Sequence, residues 1–170
     1  RVNETFGEDP YLTGELGAAI VRGYQGDSLD APDSILACAK HYIGYGEAVG
    51  ARDAIDTQMT YRKMKEVFLP PFKRAVDAGC ATFMTAYGSI DGHSFTADPK
   101  SLKTILREEL GFDGFACACG SYIRVGDEVL FHQRLPREHQ RDVVNLVREL
   151  DIQVIYEGAE RVCFDGSRPM

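Results

Sequence analysis

The 170-residue sequence contains no apolar run that approaches the ~18–20 residues needed for a membrane-spanning helix. It also lacks a basic block, since 19 Lys and Arg stand against 26 Asp and Glu, for a net charge of −7. This balance argues against nucleic acid and anionic membranes as partners. With 44% hydrophobic and 26% charged residues, the composition is that of a folded globular chain. General disorder, a collagen-like repeat and a coiled coil are therefore excluded.

The chain also lacks the cysteine pattern of a disulfide scaffold. Its five cysteines are odd in number: Cys38, Cys80, Cys117, Cys119 and Cys163. We interpret them as reduced thiols, which favours a cytoplasmic location. A metal site formed by Cys117, Cys119 and Cys163 is an alternative, but their spacing fits no zinc pattern, and we expect neither a metal nor a cofactor.

The sequence begins Arg1-Val2-Asn3-Glu4, without a methionine, a basic start or an apolar signal core. It is predicted to be a piece of a longer protein, in which an export signal could lie elsewhere.

The first two thirds of the chain alternate between strand and helix patterns. Helices that end at glycines are predicted over residues 9–25, 60–78 and 98–110, with an interruption at Pro70-Pro71. Short apolar runs predict buried strands over residues 35–39, 81–87 and 115–119. This order indicates parallel strands joined by crossover helices, and chemistry is then expected at the C-terminal ends of the strands. Lys40, His41 and Tyr87 stand at two of these ends.

The last third differs in composition and pattern. Residues 116–170 hold seven Arg and no Lys, whereas residues 1–115 hold six of each. A β-hairpin is predicted over residues 122–131, turning at Gly126-Asp127. An amphipathic helix is predicted over residues 136–150, followed by two strands over residues 154–156 and 161–164. We find no internal repeat.

Five segments between residues 1 and 115 carry a family pattern in the same order. They read RVNETFGEDP from Arg1, AKHY from Ala39, VFLPPF from Val67, MTAY from Met84 and GFDGF from Gly111. Together they resemble the barrel domain of glycoside hydrolase family 3, the β-glucosidase and β-N-acetylhexosaminidase group, most closely the β-glucosidase branch. The resemblance covers 115 of the 170 residues. It implies a parallel (β/α) barrel and the hydrolysis of O-glycosyl bonds in β-glucosides.

The same resemblance assigns substrate-binding residues. Arg1, Lys40 and His41 match sugar-hydroxyl ligands of the family's innermost subsite, Tyr87 matches an aromatic there, and Met84 lies nearby. Guanidinium, ammonium and imidazole groups are suitable donors to sugar hydroxyls. Simpler readings stay open: Lys40-His41 as a structural pair, Tyr87 as a core residue and Arg1 as a disordered terminus.

No catalytic residue is predicted in this chain. In the family, two apolar residues and then Ser-Asp-Trp follow the segment that ends at Phe115, and the Asp is the nucleophile. Here Cys119 stands at the Asp position and Gly120 at the Trp position. Retaining hydrolysis needs two carboxylates about 5–5.5 Å apart, and a thiolate is no simple substitute. The family's acid/base residue also falls outside this sequence.

Residues 116–170 resemble a different group, though less specifically. ACGSYI from Ala118, the hairpin, the helix after Leu135-Pro136 and IQVIY from Ile152 resemble the Cof-type sugar phosphatases of the haloacid dehalogenase-like superfamily. The Asp-x-Asp motif of that superfamily is absent, so no phosphatase chemistry is implied. The sequence therefore predicts a chimera joined near residues 115–118.

We expect an α/β protein with two parts: a partial parallel (β/α) barrel over residues 1–115 and a small α/β segment over residues 116–170. The expected function is that of a family 3 glycosidase fragment without turnover. A non-catalytic carbohydrate-binding remnant and a sugar-phosphatase fragment are the alternatives. The expected partner is a small carbohydrate of the β-glucoside type, with self-association through open sheet edges.

Overall fold

The computed structural model describes residues 4–51, 55–117, 122–150, 154–157 and 162–165. The chain divides into two compact units, Arg1–Phe112 and Asp113–Met170. Among the described residues, no helix is both long enough and apolar enough to cross a membrane.

Helix α1 (Pro10–Gln25) begins and ends as the sequence predicts. The Asp9 carboxylate accepts a hydrogen bond from the Leu12 amide at 2.7 Å, which satisfies one of the free donors of the first turn. Gly26 ends the helix at φ 58°, a left-handed value that glycine adopts without strain. Helix α1 packs against helix α3 (Leu69–Asp77).

Strands β1 (Cys38–Tyr42) and β3 (Thr82–Thr85) pair in parallel, with Lys40 in register with Met84. The predicted parallel arrangement of these two strands is confirmed. Strand β1 starts later than the apolar run over residues 35–39 predicts. The Ile35 amide bonds to the Tyr24 carbonyl at 2.9 Å, and the Ala37 amide bonds to the Gln25 side chain at 3.2 Å. Because the end of α1 uses these donors, the strand ladder begins only at Cys38.

The predicted helix after Thr60 forms in three consecutive pieces. They are α2 (Tyr61–Lys63), a π-helical turn (Met64–Phe68) and α3. The Thr60 hydroxyl accepts from the Lys63 amide at 3.2 Å, as expected of an N-cap. The π-helical turn places Pro70 and Pro71 in the first turn of α3, where a missing N–H is tolerated. The prolines therefore interrupt the helix, as predicted, without ending it.

A buried cluster fills the centre of the first unit. Its members are Tyr42, Ile43, Met59, Met64, Ala86, Ile90, Phe95 and Ile105. Tyr42 is 1% exposed, and its hydroxyl donates to the Ser101 carbonyl at 3.0 Å, so the buried polar tip has a partner. Burial also raises the pKa of Tyr42 far above its ordinary value. Ile105 and Ser101 belong to the predicted third helix, which is a π-helical segment (Lys100–Glu109).

The segment that follows β3 contains a hairpin that the sequence prediction missed. Strands β4 (Ser89–Ile90) and β5 (His93–Ser94) are antiparallel, and β4 also pairs in parallel with β2 (Asp56–Thr57). Asp91 and Gly92 form the turn at φ 48° and 79°. Two-residue strands leave no alternation to detect in a sequence, which explains why no strand is predicted in this part of the chain.

The second unit contains the hairpin, the helix and the last two strands that the sequence predicts. Strands β6 (Gly114–Cys117), β7 (Tyr122–Val125) and β8 (Glu128–His132) form an antiparallel sheet. Helix α4 (Arg137–Glu149) follows, and β9 (Val154–Glu157) pairs antiparallel with β10 (Val162–Asp165).

The prediction of a third parallel strand over residues 115–119 is wrong. Strand β6 ends at Cys117 and pairs antiparallel with β7. Only residues 118–121 separate the two strands, and a parallel crossover needs a dozen or more. A short connection also costs little loop-closure entropy, which favours this local pairing. Cys119, the residue at the family's nucleophile position, lies outside the described residues.

The structure confirms the α/β class but not a barrel. The described strands form four sheets of two or three strands each, and none of these sheets is closed. A closed barrel of this type needs eight parallel strands, and β1 and β3 supply only two. Self-association through the open edges stays a prediction.

Candidate functional site

Four of the predicted site residues lie near the C-terminal ends of two parallel strands. Lys40 and His41 belong to β1, Met84 belongs to β3, and Tyr87 follows the end of β3. Because β1 and β3 run in the same direction, these ends lie on the same side of the pair. The topology therefore brings together residues that are more than 40 positions apart in the sequence.

His41 and Tyr87 line the same cavity, which has a volume of about 80 Å³. The lining also includes Tyr45, Thr57, Gly88 and Phe95. The His41 and Tyr45 rings contact each other with centroids 4.8 Å apart and planes tilted by 51°. Phe95 is buried, whereas Tyr87 is 73% exposed and stands at the rim. The cavity thus has apolar walls with a few polar tips, the usual composition of a small-molecule site.

Two glycines allow the cavity walls to approach closely. A Cβ at Gly88 would lie 2.8 Å from the Ile55 carbonyl oxygen. A Cβ at Gly44 would lie 2.6 Å from the Met59 side chain, and Gly44 has a φ of 87°. No other residue fits either position without a shift of its neighbours. The glycine-rich stretch after His41 was the available sequence signal for these walls, whereas nothing in the sequence singled out Thr57 or Phe95.

Lys40 makes a different contact. Its Nζ lies 2.8 Å from Oε2 of Glu4, and neither side chain is buried. The hydrogen bond from Lys40, together with its charge, holds the pKa of Glu4 below its ordinary value, and His41 adds a smaller effect in the same direction. The hydrogen bond to Glu4 also raises the pKa of Lys40. Lys40 and Met84 are not part of the cavity lining; they lie opposite each other on the strand pair, where Met84 is 46% exposed.

The other residues discussed from the sequence are Arg1 and the cysteines. Arg1 and Cys119 lie outside the described residues. Cys38 is exposed and Cys80 is buried, and both are free thiols. Within the described ranges, no group of three or more His, Cys, Asp or Glu side chains is placed to hold a metal ion.

The first unit therefore defines a class of architecture, a parallel α/β strand pair with a polar and aromatic site at the strand ends. Residues 1–125 match the description "Glycosyl hydrolase family 3 N terminal domain". The chain therefore belongs to glycosyl hydrolase family 3.

Similar proteins are glycosidases. A β-xylosidase of Formosa agariphila is 41% identical over 68% of this chain and 16% of its own length, and a lysosomal β-glucosidase of Dictyostelium discoideum is 40% identical over 68% and 15%. The β-glucosidase of Listeria innocua, solved in complex with glucose, is 38% identical with a TM-score of 0.64, over 67% of this chain and 16% of that one. The chain thus spans about one sixth of the length of these relatives. None of these similarities supports the predicted phosphatase resemblance of residues 116–170, which stays a prediction.

Proposed function

We propose that the site at the ends of β1 and β3 binds a β-glucoside-like carbohydrate and that this chain alone does not hydrolyse it. The observation that carries the proposal is the placement of His41 and Tyr87 in one cavity. Both residues were selected from the sequence as sugar ligands, and the chain belongs to a family of glycosidases.

The chemistry of the cavity suits a sugar. The C–H face of a pyranose ring packs on aromatic side chains, and Tyr45, Tyr87 and Phe95 supply such surfaces. The hydroxyls of a sugar need hydrogen-bond partners once they leave water, and the His41 imidazole and the tyrosine hydroxyls are suitable. Because Tyr87 is largely exposed, a bound sugar stays in contact with water and each hydrogen bond contributes little, about 0.5–1.5 kcal/mol. We therefore expect a dissociation constant for glucose in the millimolar range or weaker.

We expect no turnover because the described residues of the cavity lack the carboxylates that hydrolysis needs. No Asp or Glu lines the cavity among the residues that the structure describes. In the sequence, a cysteine occupies the position of the nucleophile. The retaining mechanism uses two carboxylates, one that forms the glycosyl-enzyme ester and one that protonates the leaving group.

Hydrolysis of O-glycosyl bonds would then belong to a longer protein that supplies the missing groups. The relatives named above are β-glucosidases and a β-xylosidase, of which this chain spans only a small part. Glucose is the appropriate probe, because it is the ligand in the solved Listeria innocua complex.

The test is a glucose titration followed by two-dimensional NMR on the whole chain. We expect saturable shifts of the His41 and Tyr87 signals. Exchange of either residue for Ala should abolish the saturation, whereas Tyr24→Ala, which removes an exposed tyrosine on α1, should leave it unchanged. The proposal would be contradicted if His41→Ala and Tyr87→Ala bound glucose as strongly as the unmodified chain does. It would also be contradicted if the unmodified chain did not bind glucose.

A further inference from the structure

Glu4 is the charged side chain that contacts the strand-end residues from outside the strands. Its carboxylate lies 2.8 Å from the Lys40 ammonium. The charge of His41, the next residue of β1, adds a small effect that favours the ionised form of the same carboxylate.

This ion pair differs from the helical ion pairs of the chain. Arg62–Glu66 and Lys73–Asp77 join residues four positions apart on one helix. Lys40–Glu4 instead joins the segment before α1 to the end of β1. The side chains of Lys40 and Glu4 are 38% and 60% exposed, so a solute can reach both groups without breaking the core. An exposed pair of this kind contributes little to stability.

The hydrogen-bonding groups of the Glu4–Lys40 pair are complementary to a diol, that is, to two neighbouring hydroxyls of a sugar. A lysine ammonium has three donors and no acceptor, whereas an ionised carboxylate only accepts. A sugar hydroxyl both donates and accepts. One hydroxyl can therefore accept from Lys40 while its neighbour on the ring donates to Glu4, and both hydrogen bonds involve a charged group, which makes them stronger than neutral ones.

We propose that Glu4 is a sugar-binding residue of this site and that Glu4 and Lys40 together bind two neighbouring hydroxyls of the sugar. This inference rests on the proposed carbohydrate-binding function of the same site. It adds a carboxylate to a site whose cavity lining has none, and it gives Lys40 a role outside that lining.

The experiment uses the whole chain with labelled lysine side chains, and the Lys40 signal is assigned from its loss in Lys40→Arg. Glu4→Gln keeps the shape of the side chain but removes its charge. We expect this change to move the Lys40 signal and to weaken glucose binding about three- to tenfold, as the exchange of a charged hydrogen bond for a neutral one predicts. Glu8→Gln, an exposed glutamate of the same segment, is the matched control and should change neither.

Deoxy sugars separate the diol from a general charge effect. Each glucose analogue in the series lacks one ring hydroxyl. One analogue should bind weakly to the unmodified chain, and it should bind to Glu4→Gln with the same weak affinity. If Glu4→Gln weakened the binding of every analogue by the same factor, Glu4 would act through its charge alone. The proposed contact with two neighbouring hydroxyls would then be overturned.

The remaining outcomes distinguish the two proposals. If glucose shifts His41 and Tyr87 and Glu4→Gln binds it as tightly as the unmodified chain, the role of Glu4 is overturned and the proposed function stands. An unchanged Lys40 signal in Glu4→Gln likewise overturns it. If glucose does not bind to the unmodified chain, both proposals fail.

Discussion

The Gln25 side chain donates a hydrogen bond from Nε2 to the carbonyl oxygen of Gly79 at 2.7 Å. Its Oε1 accepts from the amides of Ala37 at 3.2 Å and Ala81 at 2.9 Å. Gln25 is 7% exposed, so these three bonds form away from water. A single side chain at the end of α1 thus fixes the chain just before β1 and just before β3, the two strands that carry the candidate site.

Gln25→Leu should destabilise the fold strongly. The substitution keeps a similar volume but leaves two amides and one carbonyl without their partner. Each buried group that loses its hydrogen bond costs about 1–3 kcal/mol, and partial relaxation makes about 2–4 kcal/mol a reasonable total. Urea unfolding measures the change. Gln58→Leu, at an exposed position, is the control and should stay within about 0.5 kcal/mol of the unmodified chain.

Two glycines on α1 should respond in opposite ways to alanine. A Cβ at Gly17 meets nothing within 4 Å, so Gly17→Ala should stabilise the helix by about 0.5–1 kcal/mol. At Gly14 a Cβ would lie 3.0 Å from Arg74 Cγ and 3.4 Å from Pro71 Cα, at the contact with α3. Gly14→Ala should therefore lose most or all of that gain. Thermal unfolding of both variants compares their stabilities directly. An equal gain in melting temperature at both positions would show that α1 and α3 are less closely packed at Gly14 than the structure indicates.

Asp56 should make stability depend on pH in the acid range. The pKa of its carboxyl is lowered, first by the hydrogen bond from the Ser89 hydroxyl at 2.5 Å and then by the Gly92 amide at 2.9 Å. A carboxyl with a lowered pKa stabilises the fold above the pKa of the unfolded chain, and this contribution is lost as the pH falls through the folded-state pKa.

The unmodified chain should therefore unfold at a higher temperature than Asp56→Asn at neutral pH. The difference should begin to shrink as the pH falls below about 4, the range of an ordinary Asp, and should vanish only below the lowered folded-state pKa. Melting temperatures measured against pH provide the comparison. His93, whose charge acts on the same carboxyl, is exchanged for Gln in a parallel variant so that its charge does not contribute to the comparison. A difference that persists unchanged into acid would mean that Asp56 acts by shape alone.

We expect no hydrolysis of an aryl β-glucoside above background. The family resemblance places Cys119 where the nucleophile is expected, and no carboxylate lines the cavity among the described residues. Cys119→Asp alone should not restore activity, because an acid/base residue is also required. Release of the aryl group is followed spectroscopically beside a complete family 3 β-glucosidase as positive control. A rate comparable to that of the control would refute the prediction.

Much of the first unit could be predicted from residues alone. Asp9, Gly26 and Thr60 mark helix ends through local hydrogen bonds and backbone preference, which depend on near neighbours in the sequence. The parallel pairing of β1 with β3 follows from the helix between them. The β4–β5 hairpin was missed because its strands are too short to show a pattern. Strand β6 was assigned to a parallel sheet although its partner β7 begins only five residues further along the sequence.

The sequence by itself determined the family and the selection of His41 and Tyr87 as site candidates, because these depend on residue types in a fixed order. Only the tertiary structure decided which side chains meet. Thr57 and Phe95 join the cavity through the β2–β4 pairing and the hairpin, and Glu4 reaches Lys40 from the segment before α1. Such contacts are set by how distant segments pack, and the order of residues in each segment does not specify its distant partner.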